Sequence, residues 1–314
     1  MLILVIGKTG QVARALAATM PDNLRSRVRV EFLGRDSADL SRPEGLREVI
    51  LGRQPNLVIN AAAYTAVDKA EQEADEAAQV NAYAPRELAL ACSDLGIPFI
   101  QYSTDYVFPG TGSQAWREDD AVDPLSAYGR TKALGEKLVR EACSRHLILR
   151  TSWVYDHDGK NFLRTMLKLG AEREVLRVVS DQMGAPTSSF EIAAATWKIA
   201  EQILGGDFKE WGTYHLTASG VTSWHGFALA IFEQARDLGL PLKVKTVEVI
   251  STAEYPTPAR RPMNSRLSNE KLARAFGFTL PSWERSLVEC LARLTAELPH
   301  KGDIRTTEGQ NESN

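Results

Sequence analysis

LILVIGKTGQVA (Leu2–Ala13) decides how the rest of the chain is read. Its first five residues are aliphatic without interruption, which is the pattern of a strand buried on both faces of a parallel sheet. Gly7 and Gly10 follow directly, three residues apart, and a helical pattern begins at Gln11. Glycines between a strand and a helix permit a tight turn and let the backbone approach a pyrophosphate. The helix start adds unpaired N–H groups and the positive end of its dipole. Ala13 takes the third small position, where the helix must pack closely on the strand. The stretch predicts the opening unit of a dinucleotide-binding fold.

The same alternation continues downstream. RVRVEFLG (27–34), LVINAA (57–62), IPFIQYSTD (97–105) and HLILRTSWVY (146–155) read as further strands. Between them lie helical patterns at 11–20, 43–51, 67–95 and 128–142. Strands separated by helices imply right-handed crossovers and a mainly parallel sheet covered on both faces, so the fold class is α/β, a Rossmann-type doubly wound parallel sheet. In the second half, VLRVVSD (175–181) and GTYHLTAS (212–219) read as strands, and 189–204 and 224–238 as helices. The Pro- and Arg-rich EYPTPARRPMNS (254–265) precedes two terminal helices, starting at Asn269 and Ser282. We expect an NAD(P)-binding domain over 1–155, with later segments returning to its sheet. A smaller substrate-binding lobe should occupy most of 156–298, and a flexible polar tail 299–314.

Composition removes several classes. A formal net charge of -3 over 314 residues, with both signs dispersed, lacks the basic footprint of a nucleic-acid binder. No apolar run is long enough to span a membrane, and the start lacks a signal-peptide pattern, so a cytoplasmic location is expected. Cys92, Cys143 and Cys290 are far apart and form no CxxC pair, which indicates buried thiols rather than disulfides or a zinc site.

The chemistry is concentrated in two segments. QYSTDYVF (101–108) ends the fourth strand, and SAYGRTKALGEKL (126–138) sets Tyr128 and Lys132 four residues apart on one helical face. Carbonyl reduction needs a hydride and a proton for the new alkoxide. A tyrosine can supply that proton if a nearby cation draws its pKa down, and Lys132 is placed to be that cation and to hold the nicotinamide ribose. Ser103 or Thr104 can hydrogen-bond the carbonyl oxygen. Past the second strand, Arg35, Asp36, Asp39 and Leu40 fall where adenosine should lie. A carboxylate there suits NAD, whereas Arg35 suits the 2′-phosphate of NADPH, which it favours. Arg260 and Arg261, in the loop PARRPMNS, carry guanidiniums whose fork geometry matches phosphate oxygens, with Arg260 preferred.

Taken together, these segments resemble the extended short-chain dehydrogenase/reductase superfamily. GKTGQVA, VINAAAYTAVDKAE, STDYVF, YGRTKALGE, RTSWVY, GKNFLRTML, VVSDQMGAPT, GTYHLTASGVTSW and YPTPARRPMNSRL narrow the likeness to its dTDP-4-dehydrorhamnose reductase family, over about residues 1–298. The resemblance implies NADPH-dependent reduction, with NADH possible, of the 4-keto group of dTDP-4-dehydro-L-rhamnose, the last step of dTDP-rhamnose synthesis for cell-surface polysaccharide. It implies that Gly10, Gln11 and Val12 meet the pyrophosphate and that Asp39 and Leu40 border the adenine. Ala62, Ala63 and Tyr64 line the cofactor groove, and Tyr102 approaches the nicotinamide half. Thr104, Tyr128 and Lys132 form the catalytic trio, while Thr104, Asp105 and Trp153 meet the sugar. Some members form magnesium-bridged dimers through acidic residues. Here the first such position is Ala15, and Glu191 alone makes a poor divalent site, so we expect no metal and a monomer or weak homodimer.

Two rivals share these motifs. A nucleotide-sugar epimerase or dehydratase would keep its NAD through the cycle, but a dehydratase would be expected to carry a Glu after Asp105, and none follows. A catalytically silent, NADP-binding regulatory subunit would bind the cofactor without consuming it, and the intact Thr104, Tyr128 and Lys132 argue against silence.

Overall fold

A computed structural model describes residues 1–296, so the expected tail at 299–314 lies outside the described residues. The chain runs β1 (Leu2–Ile6), α1 (Gln11–Thr19), α2 (Asp22–Arg25), β2 (Arg29–Leu33), α3 (Leu46–Leu51), β3 (Leu57–Asn60), α4 (Ala74–Ala78), α5 (Ala84–Asp94) and β4 (Phe99–Thr104). It continues through α6 (Ala127–Ala142), β5 (His146–Thr151), β6 (Val154–Tyr155), α7 (Phe162–Glu172), β7 (Val175–Val179), β8 (Met183–Gly184) and β9 (Thr187–Ser188). The final elements are α8 (Ser189–Leu204), β10 (Gly212–His215), β11 (Thr222–Ser223), α9 (Trp224–Asp237), β12 (Thr246–Ile250), α10 (Glu270–Phe276) and α11 (Trp283–Ala296).

Six parallel strands form one sheet in the order β10-β5-β4-β3-β1-β2. Chain direction across the sheet reverses between β1 and β3, and in doubly wound sheets ligands bind beyond the strand ends at such a reversal. The period-two geometry of β1 sorts its side chains. Ile3 and Val5 pack beneath α1, α8 and α10, whereas Leu4 and Ile6 face α3, α5 and α6. The later half therefore contributes α8, β10 and α10 to the sheet and its cover. A separate core, built on Tyr155, Leu163, Phe227, Phe232, Trp283 and Leu291, joins α7, α9 and α11 to the small parallel pair β7–β12.

The helical stretch expected over 67–95 is broken. A 3-10 turn (Lys69–Glu71) and α4 come first, then a wider π-helical turn, Gln79–Tyr83, leads into α5. Pro85 is the physical cause. It has no N–H for the Asn81 carbonyl four residues back, and the backbone accommodates the loss by widening. Gly135 of α6 packs on that carbonyl so closely that a Cβ there would lie 2.0 Å from the oxygen.

Candidate active site

The glycine loop has the backbone its sequence demands. Gly7 has φ +114°, and a Cβ would come within 3.1 Å of the Ala61 carbonyl carbon, so both conformation and close approach call for glycine. Gly10 caps α1 without any side-chain bond, and the first turn contains no acidic residue. The N–H groups of that turn are thus left to an anion. From this loop a cleft of about 660 Å³ runs along the sheet edge, lined at one end by Arg35, Asp39 and Leu40 and at the other by Tyr102, Tyr128 and Lys132. Gly7, Gly10, Gln11, Val12, Ala62 and Ala63 line it between those ends.

Asp39 accepts bonds from the Ser41 amide (3.0 Å) and hydroxyl (2.8 Å), and chiefly for that reason its carboxyl is held below the usual range. Arg35 lies 3.8 Å from it with its side chain 82% exposed, leaving the guanidinium open to an added phosphate. Tyr64 turns away from the cleft. Its hydroxyl bonds Glu73, which pushes its pKa up to about 12, and its amide donates to Asn81 Oδ1.

At the far end the candidate catalytic groups come from β4 and α6. Ser126 caps α6 by accepting the Gly129 amide, and Glu71 accepts the Ala127 amide at 2.7 Å, so the helix start is fixed from two sides. Tyr128 then stands edge-on to Tyr106, with ring centroids 5.5 Å apart. Lys132 Nζ donates to the Tyr102 carbonyl at 2.7 Å, and burial lowers its pKa to about 8 although Glu136 acts to raise it.

Burial raises the Tyr128 pKa, the Thr104 hydroxyl acts to lower it, and Asp105 and Tyr106 act to raise it. The Lys132 ammonium is turned toward the Tyr102 carbonyl. The Tyr102 hydroxyl bonds Thr196 at 2.6 Å, so this residue addresses the cleft through its backbone and ring.

Beneath Lys132 lies a buried charge network that the sequence reading missed. Glu136 accepts two bonds from Arg150, at 2.8 and 2.7 Å, and one from the Ser103 hydroxyl at 2.6 Å. Both side chains of the pair are essentially sealed, at 1% and 2% exposure. Burial acts to raise the Glu136 pKa, but the Arg150 bonds and charge, with Ser103 and Arg140, hold it below its usual value. A signal was available in the sequence: Glu136 continues the four-residue spacing of Tyr128 and Lys132.

Asp105 Oδ1 accepts the Thr104 hydroxyl at 3.0 Å, while Oδ2 is buried without a partner. Burial pushes its pKa up to about 6. Trp153 has φ +48°, a strained conformation for a bulky residue, and stacks on Trp224 with ring centroids 3.7 Å apart. A Cβ on Gly184 would lie 2.8 Å from the Trp153 ring and 3.1 Å from Ser265 Cβ. Only glycine lets these three elements meet. Of the two loop arginines, Arg261 is engaged, bonding Asp68 at 2.8 Å and the Tyr106 hydroxyl at 3.2 Å. Arg260 is exposed and does not line the cleft. Ala15 is buried, and Glu191 feels Glu289 together with Arg285, Lys198 and Arg293. Among the described residues no group of three or more His, Cys, Asp or Glu side chains could hold a metal ion.

The family model described as the RmlD substrate binding domain matches residues 1–296. A dTDP-4-dehydrorhamnose reductase of Escherichia coli K12 is 44% identical over 293 residues, covering 93% of this chain and 97% of its own. The crystal structure of a dTDP-4-dehydrorhamnose reductase from Clostridium acetobutylicum superposes with a TM-score of 0.86 at 37% identity, covering 94% of this chain and all of that one. A Bacillus anthracis dTDP-4-dehydrorhamnose reductase solved in complex with NADP gives 0.84 at 32% identity, covering 93% of this chain and 99% of its own. Matched along nearly its whole length in both sequence and shape, the chain belongs to the dTDP-4-dehydrorhamnose reductase family.

Proposed function

We propose that this chain is an NADPH-dependent oxidoreductase that reduces the 4-keto group of dTDP-4-dehydro-L-rhamnose to give dTDP-L-rhamnose. The observation that carries this reading is the placement of Tyr128 and Lys132, four residues apart on α6, at one end of a cleft whose middle is the glycine loop. The cofactor fits the residues present: an uncapped helix start for its pyrophosphate, Asp39 and Leu40 for its adenosine, and Arg35, exposed beside them, for a 2′-phosphate.

When bound, the reduced nicotinamide supplies the hydride that goes to C4 of the sugar. The chain's own residues do the rest. Thr104 and Tyr128 hydrogen-bond the C4 oxygen, and as the C=O π bond breaks the Tyr128 hydroxyl gives its proton to that oxygen. The elevated Tyr128 pKa suits this role, because the phenol is fully protonated at neutral pH and its partner is a far more basic alkoxide. Lys132, still largely protonated at neutral pH, holds the nicotinamide ribose and offsets charge left on the phenolate. Asp105 and Trp153 are our candidates for the deoxyhexose, the latter by its ring face. Arg260 is our candidate for the diphosphate. The proposal includes a cytoplasmic location and a monomer or weak homodimer, with Ala15 at the position where some relatives carry an acidic metal ligand. Among the described residues no helix is long and apolar enough to cross a membrane.

The test is loss of NADPH absorbance with dTDP-4-dehydro-L-rhamnose, generated in place by the upstream enzymes. Tyr128→Phe should bind NADPH within about twofold of the wild type and lose a factor of about 10² to 10⁴ in turnover. Equal turnover in the variant would remove the proton-donor assignment, and tight NADPH binding without sugar-dependent oxidation would remove the reductase.

A further inference from the structure

The segment DHDGKN (156–161) joins β6 to α7 and crosses the glycine loop as a strap. Three contacts hold it there. Asn161 Nδ2 donates to Gln11 Oε1 (3.0 Å) on the first turn of α1, and to the carbonyls of Asp156 (2.8 Å) and Asp158 (3.0 Å) within the strap itself. Arg14, one turn further along α1, pairs with Asp158 at 2.9 Å. At the root of the strap the buried Asp156 carboxylate accepts the Ser189 hydroxyl at 2.8 Å. Gly159 and Lys160 consequently line the same cleft as Gly7–Gln11, although about 150 residues separate them in the chain.

The cations along this cleft are differently committed. Arg14 is paired with Asp158, and Lys132 donates to the Tyr102 carbonyl. Arg35 stands by Asp39, and the stem of Lys8 passes Gly34 at the adenosine end, its ammonium without a hydrogen bond or ion pair among the described residues. Lys160 has no hydrogen bond or ion pair among the described residues, and it lines the same cleft as the open N–H groups of α1. We infer that Lys160 is a further cofactor-binding residue, held by the Asn161–Gln11 and Arg14–Asp158 contacts so that its ammonium pairs with the pyrophosphate of the dinucleotide. This rests on the reading that the cleft takes a dinucleotide. It assigns the strap a binding role: two walls, the helix N-terminus and the lysine, close on the two phosphate charges.

The experiment is equilibrium binding of NADPH and of NADH to the full chain, followed by protein fluorescence or calorimetry at low and high salt. Wild type, Lys160→Ala and Lys160→Arg are compared. Lys160 is exposed and unbonded, so neither substitution disturbs the fold, and melting curves check this. Lys160→Ala should weaken both cofactors by roughly fivefold, the scale of one solvent-screened ion pair, and flatten the salt dependence. Lys160→Arg should bind like the wild type. Unchanged affinity in Lys160→Ala overturns the inference, as does weakening of NADPH alone, which would move the ammonium to the 2′-phosphate. Failure of the wild type to bind either dinucleotide would instead remove the reading of the cleft on which the inference rests.

Discussion

Glu136→Gln tests whether the buried network under Lys132 matters to the chemistry as well as to the fold. In the native protein the carboxylate satisfies Arg150 twice and Ser103 once, at 2.6 to 2.8 Å, and takes a fourth bond from Arg140 at 3.2 Å. Glutamine keeps the shape and removes the charge, leaving the guanidinium of a 2% exposed arginine without its counter-ion. Breaking one side of a sealed pair costs about 3 to 5 kcal/mol, which for a chain of this size lowers Tm by roughly 6 to 10 °C. The same change acts on Lys132. Glu136 is the group that raises the Lys132 pKa against burial, so its loss must drop that pKa below its value of about 8. Lys132 then gives up its proton at lower pH, and the alkaline limb of turnover moves toward acid. Thermal melting and a pH profile of NADPH oxidation read the two effects separately. Glu136→Gln with Arg150→Met should recover most of the stability, because no unpaired charge remains, while the alkaline limb stays shifted. An unaltered Tm, or a limb that stays put or moves toward higher pH, would refute the reasoning.

Gly135→Ala should destabilise the fold by about 3 kcal/mol or more, measured by urea unfolding, because its Cβ meets the Asn81 carbonyl at 2.0 Å and α6 must move away from the π-helical turn. Asp105 carries a folded-state pKa of about 6, raised from 3.8 by burial. Its contribution is therefore fully present below about pH 4 and lost as pH rises through 6, a change of about 3 kcal/mol that Asp105→Asn should abolish in unfolding measured across that range. Trp224→Ala removes the ring on which Trp153 stacks and should raise KM for the sugar about fivefold while leaving NADPH affinity unchanged, as steady-state kinetics and direct binding would show.

The sheet was legible because each parallel strand carries its own signal. An aliphatic run such as LILVI or LVIN needs no knowledge of its neighbours to be read, and the helix starts at Ser126, Ser188 and Ser223 are marked by capping serines. In the lobe β12, α7 and the two-residue strands β8, β9 and β11 escaped. β12 carries the strand-like TVEVI, which went unread, and its Val249 is 62% exposed. α7 had a marker that went unread, Asn161, whose side chain accepts the Arg164 amide. The wider turn at Gln79–Tyr83 depends on one proline and one distant glycine, which no periodicity encodes. The site divides in the same way. Tyr128 and Lys132 share a local spacing, whereas Arg150 reaches Glu136 from a different strand and Asn161 reaches Gln11 across 150 positions.

Helix α6 shows why local spacing reveals the reactive groups but not their placement. Tyr128, Lys132 and Glu136 recur every fourth residue, so their common face follows from the helix alone. Where that face points is set by two flanking glycines. A Cβ on Gly129 would lie 2.3 Å from the Tyr106 carbonyl oxygen, and one on Gly135 would lie 2.0 Å from that of Asn81. The helix is therefore seated backbone against backbone, on the loop that follows β4 and on the turn that precedes α5. Thr104 leads into the first of these seats, and through Asn81 the second is bonded to Tyr64, beside Ala62 and Ala63 of the cleft wall. A side chain at either glycine would move Tyr128 relative to both the β4 hydroxyl and the cleft without altering either of those groups. On the proposed reading of the site, the two glycines are positioning residues for Tyr128 and Lys132.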